Sequence, residues 1–292
     1  MMVTTRQQTR EASVDRANLR ERLAFGAIWV AAILTVLVLL LIIGIILVRG
    51  LPHVSLEFLT SAPSDLGRAG GILPTIIGTV VLGFVALLIA TPLGIGSAIY
   101  LTEYTRETRL TRLIRFGTES LAGVPSIIFG LFGFIFFVDV LKMGWSILAG
   151  GLTLALMVLP TIIRTAEEAI LTVPLSYRET GYSLGATRWE MVTTTVLPSA
   201  MPGILTGVIL AFGRAVSETA AVIFTAGTAL NMPTSLLSPA RTMAVHFYIL
   251  AVEGISLEMA YATGAVLILT VLIINVVANA LVRNVVARRL RA

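Results

Sequence analysis

Two charged side chains, Arg214 and Glu218, stand inside an otherwise apolar run, Gly203 to Ala226. An arginine at the centre of a bilayer costs about 2.5–3.5 kcal/mol on the insertion scale, so its default reading is functional and interior-facing. On a continuous helix, Gly207, Ala211, Arg214 and Glu218 fall at about 40°, 80°, 20° and 60° from Gly203. One narrow face then holds the three small residues and both charges, turned toward another helix or a translocation path. Two chemistries suit the pair. Four-residue spacing allows Arg214 and Glu218 to neutralise each other as a structural bridge. Alternatively, the planar donor fork of Arg214 takes an oxyanion, and Glu218 orients it or tests the substrate's protonation. Arg164 is a shallower cation near the end of its own apolar run, placed where it can snorkel.

Most other chemistries are excluded. The chain has no cysteine, which removes thiol nucleophiles and thiolate metal sites, and only two histidines, His53 and His246, so no metal centre is expected. Gly181-Tyr182-Ser183-Leu184-Gly185 has the Gly-x-Ser-x-Gly spacing of a nucleophile elbow. That motif needs a preceding strand and a histidine within reach of the serine. Both histidines belong to connections on the other side of the membrane from Ser183. No Gly-x-x-x-x-Gly-Lys-Ser/Thr loop is present to cradle ATP phosphates, so no nucleotide or other cofactor is expected on this chain.

The elements that must position these residues follow from composition. Of 292 residues, 57% are hydrophobic and 13% charged, with a mean hydropathy of +0.94. Soluble domains carry roughly 25% charge, so this chain belongs in a bilayer. A hydrocarbon core of about 30 Å needs roughly 20 apolar residues. Six runs qualify: Gly26–Val48, Ile72–Leu101, Ser120–Val138, Ile147–Ile163, Gly203–Ala226 and Ala260–Val282. Pro92 is expected to kink or break the second, and Pro125 the third. Ahead of the first lies a polar tail, residues 1–25, read as cytoplasmic.

Basic residues fix the orientation. Sixteen of the 21 Lys and Arg fall in the two termini and the second-to-third and fourth-to-fifth connections, against four in the alternate connections. Positive charge collects on the cytoplasmic side, which places both termini there. The net charge of +5 is therefore an orientation signal, and nucleic acid is not an expected partner.

The cytoplasmic connection 164–202 carries the most specific pattern. About 39 residues without order would be unusual, and the sequence reads helix, turn, helix. Ala166–Ile170 is helical, Pro174 stops it, Tyr177–Leu184 forms a second piece, and Gly185 permits a turn with positive φ. Thr187–Val192 then continues helically to Leu197-Pro198.

Within it, Glu179-Thr180-Gly181, three residues, Gly185, nine residues, then Thr195-Val196-Leu197-Pro198 resembles the Glu-Ala-Ala loop of ABC-importer permeases. Glu179, Gly185, Leu197 and Pro198 match in register, whereas Thr180, Gly181 and Thr195 depart. In that family the loop docks on the ATPase subunit. The resemblance implies Glu179 and Gly185 as docking residues, with Arg188 and Trp189 as a charged and an aromatic contact.

Three further stretches are similar to phosphate-specific ABC permeases. They are Gly70–Pro74 with Gly78-Thr79, Val124–Gly133, and Gly213–Ala220 with Phe224-Thr225-Ala226. Ser217 stands where the family usually has Gly. The length and short tail resemble the PstA-type subunit rather than its PstC-type partner. The resemblance implies an all-α, six-span polytopic membrane protein: a type-I importer core at 72–285, of the MetI-like kind, preceded by one extra helix at 26–48. It also implies a homologous permease, separate ATPase subunits and an extracytoplasmic phosphate-binding protein as partners, in a bacterial or archaeal plasma membrane. Arg214, Glu218 and Arg164 become candidates for the anion path. A permease for sulfate, molybdate or phosphonate is the nearest alternative, and a secondary transporter or channel needing no ATPase a more distant one.

Overall fold

A computed structural model describes the backbone of residues 2–289 and the side chains of 21, 22, 24–280 and 282. The basic side chains of the two termini, Arg6 to Arg20 and Arg283 to Arg291, lie outside the described side chains. The chain divides into residues 1–49 and residues 50–292. The first unit is one helix, α1 (Met2–Gly50), continuous from the expected tail into the first apolar run.

The second unit begins with α2 (Leu56–Thr60), capped by the Ser55 hydroxyl, and a two-residue antiparallel pair, β1 (Pro63–Ser64) and β2 (Ala69–Gly70). α3 (Leu73–Ile99) follows and winds into a π turn at Tyr100–Tyr104. At Pro92, where a kink or break is expected, α3 is not broken and continues as one helix. Its neighbour supports that segment, since Gly94 lies against Ile162 with no room for a side chain. Spanning helices tolerate proline where adjacent helices hold the backbone.

α4 (Arg109–Ala122) is closed at its start by Thr108 and Thr111, whose hydroxyls each accept from the other's backbone N–H. It ends before Gly123-Val124-Pro125. α5 (Ser126–Gly133) then continues as a π segment to Val140, bent by 99° from α4. The third span therefore starts at Ser126, not Ser120. Pro125 has no N–H and disfavours helical φ/ψ at Val124, so helix cannot pass from Ala122 into Ser126.

α6 (Ile147–Leu171), capped by Ser146, extends eight residues past the expected boundary. α7 (Leu175–Ser183) and α8 (Arg188–Met191) make the next connection, and a π turn at Val192–Val196 joins α8 to α9 (Leu197–Val216). The connection 164–202 thus shrinks to Thr172–Thr187, its flanks being absorbed into two spans. The fifth span is correspondingly Arg188–Val216, 29 residues long. It stops ten residues earlier than expected, and α10 (Ala220–Thr225) starts after a break. α11 (Met243–Val252) and α12 (Leu257–Arg289) complete the fold.

Among the described residues, five helices are long and apolar enough to cross a membrane, or six if the bent pair counts as one span. At the centre of the second unit, α3, α6, α9 and α10 share one apolar cluster that includes Leu82, Ala86, Leu154, Val158, Ala211, Ala215 and Val222. Lipid tails are as apolar as leucine, so these helices associate by close packing rather than by leaving water. Glycine and alanine make that packing possible: Gly151 abuts Val85, and Gly207 abuts Thr165. The hydroxyls buried here, Thr79, Thr153 and Thr225, each donate to the carbonyl four residues earlier, so none is stranded in the apolar interior.

Candidate functional site

The loop between α6 and α9 is built by local chemistry. Pro174 opens α7, and three backbone bonds close its end: Leu184 N–H to Thr180, Gly185 N–H to Tyr182, and Ala186 N–H to Gly181. Gly185 sits at φ +84°. Positive φ at this helix end is the conformation that glycine adopts without a Cβ penalty. Thr187 and Glu190 then form a reciprocal cap. The Glu190 carboxylate accepts from the Thr187 N–H and hydroxyl at 2.8 and 2.7 Å, and the Thr187 hydroxyl accepts from the Glu190 N–H. The 29-residue helical stretch that begins at Arg188 is about 43 Å long, more than a core of about 30 Å can cover.

This arrangement presents Glu179, Gly185, Arg188 and Trp189 together as exposed residues, beside Leu184, which is 83% exposed. Leu197 and Pro198 are not with them. They are half-buried at the start of α9, where Leu197 packs against the cluster of Ile170, Met191 and Ile204. Gly181 is small for a packing reason, because its α-carbon faces the Met191 side chain. Ser183 lies in α7 and donates to the Glu179 carbonyl at 2.8 Å, on a helix and not after a strand, so it is no nucleophile elbow.

Sequence reasoning missed the residue that fastens this loop. Arg178 donates from Nη2 to Glu103 Oε1 at 2.6 Å and to the Ile170 carbonyl at 3.1 Å, and from Nη1 to the Val173 carbonyl at 2.7 Å. Its Nε reaches the same carboxylate at 3.2 Å. The two side chains are only 14% and 7% exposed. Beside them the Arg188 guanidinium lies 5.7 Å from the centre of the Tyr104 ring. Both contacts land on the π turn that ends α3. A partner 75 residues away leaves no local signal, and Arg178 reads in sequence as one more basic loop residue.

Arg214 lies in the last turn of α9, exposed, and forms no hydrogen bond or ion pair among the described residues. The helix C-terminus two residues on favours a cation there. Glu218 is not on the same helix. α9 ends at Val216, the Ser217 N–H and hydroxyl both donate to the Gly213 carbonyl, and Glu218 Oε1 accepts the Ala221 N–H at 3.2 Å. The expected single face and the structural bridge are both corrected by this break: Glu218 caps α10 instead of neutralising Arg214. Serine and glutamate side chains here compete for the backbone bonds a continuous helix would use. The small residues also part from the arginine, since Gly207 and Ala211 are buried against neighbouring helices while Arg214 is exposed.

Arg164 is exposed and held by two carboxylates, Glu119 at 2.9 Å and Glu168 at 3.4 Å. A second bridge, Arg115 to Glu167 at 3.3 Å, runs parallel to it between α4 and α6. Among the described residues, no group of three or more His, Cys, Asp or Glu could hold a metal ion.

Comparison with known proteins bears on the family and the fold. Residues 90–291 match the family described as binding-protein-dependent transport system inner membrane component. The "Probable ABC transporter permease protein YqgI" of Bacillus subtilis is 34% identical over 278 residues, covering 90% of this chain and 95% of that protein. The "Phosphate transport system permease protein PstA" of Pasteurella multocida is 34% identical over 259 residues, covering 87% and 88%. A solved bacterial alginate ABC transporter, in complex with an alginate-bound periplasmic protein, shares the fold. Its TM-score is 0.63 at 17% identity, covering 87% of this chain and 93% of that one. A multi-pass all-helical chain with an exposed helix–turn–helix loop, matched over most of its length, belongs to the family of binding-protein-dependent transport system inner membrane components, as a permease of the PstA type.

Proposed function

We propose that the chain is a permease subunit of an ATP-binding-cassette importer for inorganic phosphate. The observation that carries this reading is the 34% identity to a PstA permease over nearly the whole chain. The subunit performs no bond-breaking chemistry. It pairs with a homologous permease of the PstC type, receives phosphate from an extracytoplasmic binding protein, and is driven by separate ATPase subunits. Both termini and the α7 loop face the cytoplasm of a bacterial or archaeal plasma membrane, a reading supported by the 16-to-4 distribution of basic residues.

Glu179, Gly185, Arg188 and Trp189 meet the ATPase, and Leu197-Pro198 sets the angle at which the loop enters α9. Closure of the ATPases then moves α7, and the Arg178–Glu103 pair carries that movement to α3. Arg214 lines the anion path; its support is a charge without a carboxylate partner where the fifth span breaks. Glu218 shapes the path by fixing the start of α10. Arg164 joins the path only when it exchanges Glu119 for the anion.

The test is ATP-driven uptake of labelled phosphate by the whole complex in proteoliposomes. Uptake against a gradient, uninhibited by excess sulfate, molybdate or phosphonate, is the expected result. Preferential import of one of those oxyanions would overturn the substrate assignment while leaving the importer assignment standing.

A further inference from the structure

We propose that α4 is an interfacial helix that gathers anionic phospholipid on the coupling-loop side of the membrane. Its direction is the first argument. α4 and the segment Ser126–Val140 are bent by 99°, so when the latter crosses the bilayer, α4 runs along the surface.

Depth is the second. Bridges from Arg115 to Glu167 and from Glu119 to Arg164 pin α4 to α6. Those α6 positions lie 17 and 20 residues beyond Ile147, about 26–30 Å along a helix axis. A span that enters the hydrocarbon near Ile147 leaves it at that level, since the core is about 30 Å thick. α4 therefore rests at the headgroup boundary.

The third argument is how its faces divide. Measured from Arg109, Leu113, Leu110, Leu121 and Ile114 lie at about 40°, 100°, 120° and 140° around the helix. All four are exposed, Leu110 and Leu113 at 65% and 64%. Thr111 and Arg115, at about 200° and 240°, turn toward the protein, where Thr111 is buried and Arg115 meets Glu167. Arg109 and Arg112 lie along one side of the apolar stripe at about 0° and 300°, with the exposed Phe116 between them at about 340°.

Charge selects the occupant. Arg106, Arg109 and Arg112 are exposed, and none forms an ion pair among the described residues. From Arg106 to Ala122 the acids are Glu107 and Glu119, and Glu119 is taken by Arg164. A row of unpaired guanidinium groups beside an exposed leucine stripe fits a phosphodiester headgroup above an acyl chain. A purely apolar neighbour would leave those arginines without a counter-charge. The inference rests on the chain being membrane-spanning and not on its substrate.

The experiment uses the whole transporter complex in nanodiscs of phosphatidylcholine with one tenth phosphatidylglycerol. Lipid retained after detergent washing is quantified, and p-benzoylphenylalanine placed at Leu113 reports by photocrosslinking what covers the stripe. Phosphatidylglycerol is expected to be enriched on the wild type, undisturbed by added inorganic phosphate, with the crosslink going to lipid. Arg109→Gln with Arg112→Gln should lower the retained phosphatidylglycerol-to-phosphatidylcholine ratio by up to roughly 20- to 30-fold, about fivefold for each charge near an anionic surface. Arg109→Lys with Arg112→Lys keeps the charge, should keep most of the enrichment, and decides the matter if the Gln variant does not assemble. A crosslink to the partner permease, equal retention of both lipids, or displacement of the lipid by inorganic phosphate would each overturn the proposal.

Discussion

Arg178 and Glu103 form a nearly buried pair that ties the exposed loop to the end of α3. The guanidinium reaches the carboxylate with Nε and Nη2 while Nη1 and Nη2 also take the carbonyls of Val173 and Ile170, the residues that close α6. One side chain thus joins α3, α6 and α7. Removing one partner of such a pair leaves the other charge without compensation, at a cost of about 3–5 kcal/mol. Arg178→Ala should therefore loosen α7, making the loop sensitive to protease and suppressing phosphate uptake. Arg178→Lys keeps the charge but cannot serve two carbonyls and a carboxylate at once, and should give partial uptake. Protease resistance and uptake both at wild-type level in Arg178→Ala would show that the pair carries nothing between loop and span.

Gly185 tests the loop's backbone. No atom lies within 4 Å of the place a Cβ would occupy, so a substitution there meets open space. The only cost is φ +84°, which L-residues pay at roughly 1–2 kcal/mol. Gly185→Val should deform the turn, weaken ATPase co-purification and abolish uptake, with the spans still inserted. Gly185→Asn tolerates left-handed φ and should retain more activity. Equal uptake by the two variants would remove the turn from the coupling argument.

The long apolar helices and the helix–turn–helix loop were legible because each rests on local pattern: runs of leucine and valine, Pro174 after a helix, Gly185 at a turn. Three features were not. The 99° bend depends on how two helices on either side of Pro125 find separate neighbours, and a hydropathy run counts Ser120–Ala122 with the span they do not join. The break at Ser217–Thr219 is a contest between side-chain and main-chain bonds, which a 100° wheel assumes already decided in favour of helix. Arg178 gives no sign of Glu103 because its partner is far along the chain. Long-range pairing and helix termination are where sequence spacing misled, and both bear directly on the candidate site.

Orientation has its own test. The proposed orientation, with both termini in the cytoplasm, rests on the 16-to-4 division of basic residues. A C-terminal reporter active only inside the cell is the expected outcome, and a fusion in the connection after Gly227 should be active only outside. The reverse pattern would move the α7 loop to the side where no ATPase can reach it.

Arg214 decides the anion path, and the structure changes what its variants should do. On a continuous helix, Arg214→Gln would strand Glu218, and Glu218→Gln would relieve the damage. Here the Glu218 carboxylate accepts the Ala221 N–H at 3.2 Å and forms no ion pair with Arg214. Glu218→Gln keeps an acceptor oxygen for that bond, so its effect should stay near or below the typical ~1 kcal/mol of a lost helix cap. If, as proposed, the substrate supplies the counter-charge of Arg214, Arg214→Gln should abolish phosphate uptake in complexes that assemble normally. Arg214→Lys retains charge without the planar fork and should keep part of the activity. The double change Arg214→Gln with Glu218→Gln should be as inactive as Arg214→Gln alone. Uptake is measured at equal amounts of assembled complex, with competition by unlabelled phosphate to separate weaker binding from slower turnover. Recovery of uptake in the double variant would restore the bridge that the break at Ser217–Thr219 argues against, and would take Arg214 out of the path.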